Sequence, residues 1–258
     1  MIPVVVISLA RSTDRRAAIT AQLGSFRVPF TFFDAVDGNT MTVAQTRTAC
    51  RRPNPRRYGT YLLPTEVGCV TSFRLVCEAI ARGPDEFVCV LEDDVTLDSK
   101  VHTFLDETTL RALPRFDILR IQRTSERWFP ISTYGPFTIR VPYRPTYGMC
   151  GQIFTRDGAA ITAAGLATPW MPGDMMLFYD GIVRGLRILE VDPPLAFHPP
   201  PEQDQTTIDP ERIRVAPKSP PPLYRRWRRT MYEYASQIRI FRNFVLVWGF
   251  SALRLLRQ

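Results

Sequence analysis

A chain of 258 residues that is 45% hydrophobic can bury a sizeable core, as one large α/β domain or a domain with an appendage, and this excludes a disordered protein. Its formal charge is +8, but residues 223 to 258 hold eight Arg and one Glu and so supply +7 of that total. The rest of the chain is almost neutral, which argues against a nucleic-acid-binding face spread over the fold. The five cysteines (Cys50, Cys69, Cys77, Cys89, Cys150) are scattered, odd in number and without a CxxC pair. They read as reduced core thiols, not as a zinc ribbon or a disulfide framework. Nothing at the N-terminus reads as a signal peptide, so a cytoplasmic location is expected.

Val4 to Leu9 is a buried strand, and Ser12 is placed to cap a helix that ends at Gly24. Arg11, Arg15 and Arg16 cluster at the turn between them. A helix N-terminus prefers anions, so these cations either await an anion such as a nucleotide phosphate or form a solvated basic turn. Phe30 to Phe33 is a second strand, left through the loop Asp34-Ala35-Val36-Asp37-Gly38. From Thr40 to Thr65 the pattern breaks up around Arg51-Arg52-Pro53-Asn54-Pro55-Arg56-Arg57, which predicts a mobile surface loop. A helix from Glu66 to Arg82 follows, with Val70, Phe73, Cys77 and Ile80 at helical spacing and Gly83-Pro84 as its stop.

The run Phe87-Val88-Cys89-Val90-Leu91 is the most strongly apolar strand signal, and it ends in Glu92-Asp93-Asp94. A strand apolar on both faces belongs inside a largely parallel sheet, and its carboxyl end is where open α/β sheets place their ligands. Alternation puts Glu92 and Asp94 on one face and Asp93 on the other. Two carboxylates on one side suit a hard divalent cation that also holds phosphate oxygens, the alternative being a solvated acidic turn. Phe104 to Leu113 is helical in pattern and Phe116 to Ile121 is another strand, so the βαβ alternation implies a mostly parallel sheet flanked by helices. Tyr147 to Ala160 is a Gly-punctuated strand leading into a helix, where small residues allow close approach of a ligand. Asp174, in Pro172-Gly173-Asp174, reads as a helix cap or as a general base.

Taken in order, Arg11-Ser12-Thr13-Asp14-Arg15-Arg16, Ala35-Val36-Asp37-Gly38, Glu66-Val67-Gly68-Cys69 with Ser72, Leu91-Glu92-Asp93-Asp94-Val95, Gly148 with Arg156-Asp157-Gly158-Ala159, and Pro172-Gly173-Asp174 resemble glycosyltransferase family 25 over residues 4 to 198. This is the lipooligosaccharide and collagen galactosyltransferase-like family. The resemblance implies a GT-A-type (Rossmann-like) catalytic domain at 1–198 that transfers a hexose, galactose from UDP-galactose, to a glycan or lipid-linked glycan acceptor with inversion. It implies a UDP-sugar site around Arg11, Arg15, Arg16, Asp37, Glu66, Ser72, Glu92 and Asp93. A Mn²⁺ (or Mg²⁺) ion would be held by Glu92, Asp94 and His198, and Asp174 would be the base. The chain departs from the family pattern at Ser8, where Asn is common, at Thr65, and at Phe73, where a His follows the Ser. Those changes imply an altered sugar specificity, or a non-catalytic nucleotide-sugar- or glycan-binding relative at a membrane. Nucleotidyl transfer would use the same acids, but no Gly-rich phosphate loop with a Lys accompanies them.

After Phe197 the composition shifts to a Pro-rich linker, residues 199–222, and then to a basic amphipathic helix, residues 223–258. Trp227, Met231, Tyr234, Ile238, Phe241, Val245, Trp248, Ala252 and Leu255 follow one stripe, with Arg228, Arg229, Arg239, Arg242, Arg254 and Arg257 off it. The apolar stretch from Phe244 to Leu253 is too short to span a bilayer, which needs about 20 such residues. The helix therefore reads as a peripheral anchor on the anionic inner face of a membrane, or as one that folds back on the catalytic domain or pairs in a homodimer.

Overall fold

The computed structural model describes residues 1–50, 53–54, 61–122, 128–142, 147–179, 185–198 and 223–249. The linker at 199–222, the end of the tail and most of the Arg51–Arg57 loop lie outside the described residues. In chain order the strands are β1 (Val4–Ser8), β2 (Thr31–Asp34), β3 (Phe87–Glu92), β4 (Thr96–Leu97), β5 (Ile118–Arg120), β6 (Trp128–Tyr134), β7 (Phe137–Pro142), β8 (Gly151–Thr155), β9 (Ile188–Asp192) and β10 (Ala196–Phe197). The α-helices are α1 (Thr13–Ser25), α2 (Val43–Ala49), α3 (Pro64–Arg82), α4 (Glu107–Ala112), α5 (Arg156–Gly165) and α6 (Leu223–Trp248).

Eight strands form one sheet in the order β2-β1-β3-β8-β5-β9-β7-β6, and β4 pairs with β10 beside it. β1, β2, β3, β5, β6 and β9 run one way, and β7 and β8 the other. The sheet is thus mostly parallel in strand direction and covered by helices, as the alternation of apolar runs implies. β3 lies between β1 and β8, and each of its faces meets a separate core. Phe87, Cys89 and Leu91 join Ile19 and Leu23 of α1 and Phe104 on one side. Val88 and Val90 join Phe73 and Cys77 of α3 and Ala159 of α5 on the other. That is why the strand is apolar without alternation. All five cysteines are free and four of them are buried, consistent with core thiols.

Several local expectations are corrected. Within the segment expected to be a loop from Thr40 to Thr65, Val43–Ala49 is helical. Thr42 and Gln45 form a reciprocal cap, with Gln45 N–H donating to Thr42 Oγ1 at 3.2 Å and Thr42 N–H to Gln45 Oε1 at 2.8 Å. Ser12 precedes α1 but its hydroxyl makes no cap, and the helix continues past Gly24 to Ser25. Phe104 to Leu113 is not one helix. It divides into a 3₁₀ turn (Ser99–Phe104) and the short α4, because Asp106 caps the latter by accepting from Thr109 N–H at 2.9 Å. The β6–β7 hairpin, turning at Gly135 (φ +56°), was not apparent from the sequence.

α3 is seated directly on the loop that leaves β2. A Cβ added at Gly68 would lie 2.7 Å from Val36 O and 2.8 Å from Gly38 N. Neither atom is on a flexible side chain, so the backbone itself would have to move. Gly68→Ala is expected to cost about 1–3 kcal/mol, several degrees of Tm in a thermal melt followed by circular dichroism. An unchanged Tm would show that the loop yields freely.

Candidate active site

Because β1 pairs in parallel with both β2 and β3, the three strands end on one side, and their ends carry Ser8, Asp34 and the Glu92-Asp93-Asp94 triplet. The loop after β2 adds Asp37, which begins a 3₁₀ turn (Gly38–Thr40) and accepts from Asn39 N–H at 3.0 Å. Negative charge therefore converges at one edge, and the arginines of α1 answer it. Arg15 Nη1 lies 3.2 Å from both Asp93 Oδ1 and Asp94 Oδ2. Arg11 Nε donates to Asp37 Oδ2 at 2.6 Å, and Arg16 pairs with Asp34. The guanidinium of Arg11 holds the Asp37 carboxyl below its usual range.

The expected division of the acidic triplet is only partial, because Asp93 and Asp94 lie in the turn after β3 and share Arg15. Asp93 accepts from Ser8 Oγ at 2.6 Å and from Arg15, on the β1 side. Glu92 and Asp94 instead meet His198, and the three groups place a ligand atom each within 4.8 Å of one another. The fold explains how a histidine more than one hundred positions away arrives there. β10 pairs antiparallel with β4, directly after the triplet, with Phe197 opposite Thr96. His198 then emerges beside Asp94. Two carboxylates and an imidazole form a donor set that could hold a divalent cation.

Two cavities meet at this cluster. The first, of about 250 Å³, runs between the first turn of α1, the Ala35–Asn39 loop and α3, and it is lined by Arg11, Arg15, Asp37, Ser72, Asp93 and Asp94 among others. The second, of about 220 Å³, is walled by Val70, Met149, Pro172 and Gly173, with Glu66 and Asp174 in it. Glu92, Cys69 and His198 line both. Burial pushes the Glu92 carboxyl well above its usual range, and the neighbouring Asp94, Asp174 and Asp93 add to the effect against the pull of Arg15.

Not every residue singled out in the sequence has a free hand in the site. Ser72 Oγ donates to Gly68 O at 2.8 Å and accepts from Val36 N–H at 2.9 Å, so its hydroxyl fixes the β2 loop. Glu66 sits in the second cavity, not the first, and accepts from Leu63 N–H at 3.0 Å at the start of α3. Arg16 lines neither cavity: it donates to Ser8 O at 3.0 Å and stacks over Phe32. Asp174 stands in the first turn of a helical segment that runs on through Tyr179, as a helix-start residue would. Its Oδ1 accepts from Met175 N–H at 2.8 Å and its Oδ2 from Gly148 N–H at 3.0 Å, which fixes the carboxylate at the cavity wall.

The sequence reading missed Arg120. Its Nη2 donates to Tyr147 O at 2.7 Å and Gly148 O at 2.9 Å, it pairs with Glu190 at 3.2 Å, and it stacks on Phe178 at 3.9 Å. Burial lowers its pKa to about 10. The available signal was a lone charge inside an apolar strand. Gln122 was missed as well; it donates to Tyr147 O at 3.3 Å and accepts from Gly151 N–H at 2.9 Å. Gly148 (φ +84°) has no room for a side chain, since a Cβ would come within 2.5 Å of Gln122 Nε2 and 3.3 Å of His198 Nε2.

Residues 1–134 match the model of glycosyltransferase family 25, described as LPS biosynthesis protein. The chain belongs to glycosyltransferase family 25. It is 35% identical over 105 residues to the lacto-N-neotetraose biosynthesis glycosyltransferase LgtB of Neisseria gonorrhoeae, a match covering 40% of this chain and 36% of that protein. It is 34% identical over 105 residues to LgtE of the same organism, with the same coverage. The match thus spans about a third of the length of these curated relatives. Among solved structures, a glycosyltransferase involved in the glycosylation of the major capsid of PBCV-1 aligns over 76% of this chain and 92% of its own, with a TM-score of 0.42 and 12% identity. The family 25 match takes in α1, the β2 loop, α3 and the acidic triplet, and ends before Asp174 and His198.

The half-buried Glu92 carboxyl, with its pKa raised, makes stability depend on pH. A carboxyl whose folded-state pKa is raised loses its proton first in the unfolded chain, so stability falls as pH rises from about 4.5 toward the folded pKa and stays lowered above it. Glu92→Gln is therefore expected to melt higher than the parent at neutral pH in EDTA, with the gap closing as pH drops below about 4.5. Saturating Mn²⁺ should narrow the gap from the other side, by about 2.7 kcal/mol at a hundredfold excess over Kd. A gap that did not change with pH would remove Glu92 as its source.

Proposed function

We propose that this family 25 member is a metal-dependent hexosyltransferase that moves galactose from UDP-galactose to a lipid-linked or lipopolysaccharide-type glycan, with inversion. The observation that carries the reading is that two cavities meet at one acid and imidazole cluster. A donor in the first cavity and an acceptor in the second would bring the sugar between them. Glu92, Asp94 and His198 would hold Mn²⁺ or Mg²⁺, which when bound neutralises charge on a departing diphosphate. Family membership supports the nucleotide-sugar donor, and the gonococcal relatives, named for lacto-N-neotetraose biosynthesis, support an oligosaccharide acceptor.

Asp174 is the base in this reading. An acceptor hydroxyl in the second cavity gives its proton to the Asp174 carboxylate as its oxygen bonds to the anomeric carbon. The bond from that carbon to the diphosphate breaks on the opposite side, and its electron pair leaves with UDP. Gly148 and Met175 N–H groups orient the carboxylate beforehand, while Val70, Met149 and Pro172 give the acceptor an apolar wall. Thr65 and Phe73 line the first cavity, so the departures from the family pattern fall where donor selectivity would be set.

The acceptor would be met at the anionic inner face of a membrane. Among the described residues no helix is long and apolar enough to cross one. α6 nevertheless exposes Trp227, Met231, Tyr234, Ile238 and Phe241 along one side, with Ile238 69% exposed, and Arg226, Arg228 and Arg242 are exposed as well. Large apolar residues bordered by arginine fit an anionic lipid surface.

Calorimetric titration of UDP-galactose is expected to give Mn²⁺-dependent binding that Asp94→Ala abolishes. Asp174→Asn should keep that binding and lose about 10²–10⁴-fold in kcat. A folded protein that binds no nucleotide sugar would sink the transferase reading. In co-sedimentation with phosphatidylglycerol vesicles, Ile238→Asp with Phe241→Asp should weaken binding at least about tenfold, from the apolar burial lost. Dimers that the same pair of changes dissociates, without effect on vesicles, would instead assign the stripe to a second copy of the chain.

A further inference from the structure

α6 meets the body of the protein with the side opposite its exposed stripe. Ser236 is fully buried, Phe244 packs on Phe129 of β6 with ring centroids 6.1 Å apart, and Tyr232 reaches the other core. The Tyr232 ring stands edge-on to Trp170, centroids 5.9 Å apart and planes at 88°, and its hydroxyl lies 3.3 Å from Met171 Sδ. Arg239 covers the tyrosine from the outside at 5.0 Å and donates to Ser236 Oγ at 2.9 Å. Trp170 and Met171 are 6% and 0% exposed. The chain runs from them straight into Pro172, Gly173 and Asp174, which wall the second cavity.

That segment has little slack. A Cβ at Gly173 would lie 3.2 Å from Met149 Sδ, and Met176 N–H bonds back to Pro172 O at 3.1 Å. A close-packed chain transmits a displacement instead of absorbing it. We propose that Tyr232 is a positioning residue for transfer: through Trp170 and Met171 it sets the path of the chain that carries Asp174, which makes α6 a structural part of the acceptor side of the site. The inference rests on the reading of Asp174 as the base. It gives a helix outside the family-matched segment a role in the chemistry. The same helix would then carry the lipid-facing stripe on one side and support the catalytic turn with the other.

The test compares Tyr232→Ala, Tyr232→Phe and the parent, each as the full chain, by amide hydrogen exchange under native conditions. The amides of Gly148 and Met175 report on Asp174 because they donate to its two carboxylate oxygens. Tyr232→Ala is expected to speed exchange at both by about tenfold, as the loss of an aromatic pair implies. The amides of Ala35 and Val36, which donate to Ser8 O and Ser72 Oγ beside the first cavity alone, should be unchanged. Tyr232→Phe keeps the ring against Trp170 and should match the parent within about twofold. In kinetics with UDP-galactose and an oligosaccharide fragment of lacto-N-neotetraose as probes, Tyr232→Ala should lower kcat about tenfold, within what a small misplacement of a reacting group costs. The KM for UDP-galactose should hold within about twofold. Unaltered exchange at Gly148 and Met175, or an equal rise at all four amides, overturns the proposal. Wild-type transfer by Asp174→Asn overturns instead the assignment of the base, and the exchange data still decide whether Tyr232 holds the turn.

Discussion

Like-charge repulsion at the ends of three parallel strands is the constraint on which the rest of the site depends. Asp34, Asp37, Glu92, Asp93 and Asp94 converge because β1 pairs in parallel with β2 and β3, and a parallel sheet delivers all its carboxyl ends to one side. Acids so close together, all but the exposed Asp34 at least partly covered, repel unless opposite charge is supplied. The first turn of α1 supplies it, with one arginine for Asp37, one shared by Asp93 and Asp94, and one for Asp34. This resolves the oddity of three cations at a helix N-terminus. Their partners are the ends of the neighbouring strands, which sequence order does not reveal. Glu92, on the other face of β3, is the acid left with its carboxyl raised, and it is the one both cavities share.

A second row of charge supports the opposite wall. Arg120, Glu190 and Arg140 sit at matching positions on β5, β9 and β7, so that one buried carboxylate lies between two buried guanidinium groups. Arg140 is held further by Asp192 at 3.1 Å and by the face of Trp128. Arg120 uses Nη2 on the carbonyl oxygens of Tyr147 and Gly148, and Gly148 N–H goes to Asp174. Buried ion pairs of this kind contribute little net stability, and removing one partner is strongly destabilising. What the row provides here is a defined place for the Tyr147–Met149 segment, through the two bonds from Arg120 to the carbonyl oxygens of Tyr147 and Gly148.

Much of this was legible in the sequence, for reasons that can be stated residue by residue. The acidic strand was readable because burial on both faces forces a run with no alternation, but Asp93 and Asp94 fall in the turn beyond its last residue, Glu92, where strand alternation no longer assigns sides. α2 was legible in principle through Thr42 and Gln45, a Thr-x-x-Gln cap that the nearby prolines and arginines obscured. The β6–β7 hairpin was hidden because its residues are only partly buried along β6, so the apolar pattern is weak. Arg120 showed only as a lone charge in an apolar strand and Arg16 only as one of a basic cluster: whether an arginine faces a ligand, a carbonyl or a strand end depends on tertiary partners 18 to 70 positions away.

The tail shows the same limit in its sharpest form. Helical periodicity gave one stripe from Trp227 onward and left two opposed uses for it, burial against the body or exposure to a partner. The fold divides the stripe: Trp227, Met231, Tyr234, Ile238 and Phe241 point out, opposite Tyr232 and Ser236, whereas Val245 and Trp248, further along it, pack on the body beside Phe244. The side counted as basic is therefore not simply a solvated one. Arg229 is tied to Glu233 at 2.9 Å and Arg239 lies on Tyr232, both half-buried at or beside the contact with the body. Their long aliphatic stems cover apolar surface while their charges reach its rim. A helix that buries its less apolar face and exposes its more apolar one is poorly arranged for water alone, and that inversion is the physical reason to look for what the outer stripe meets.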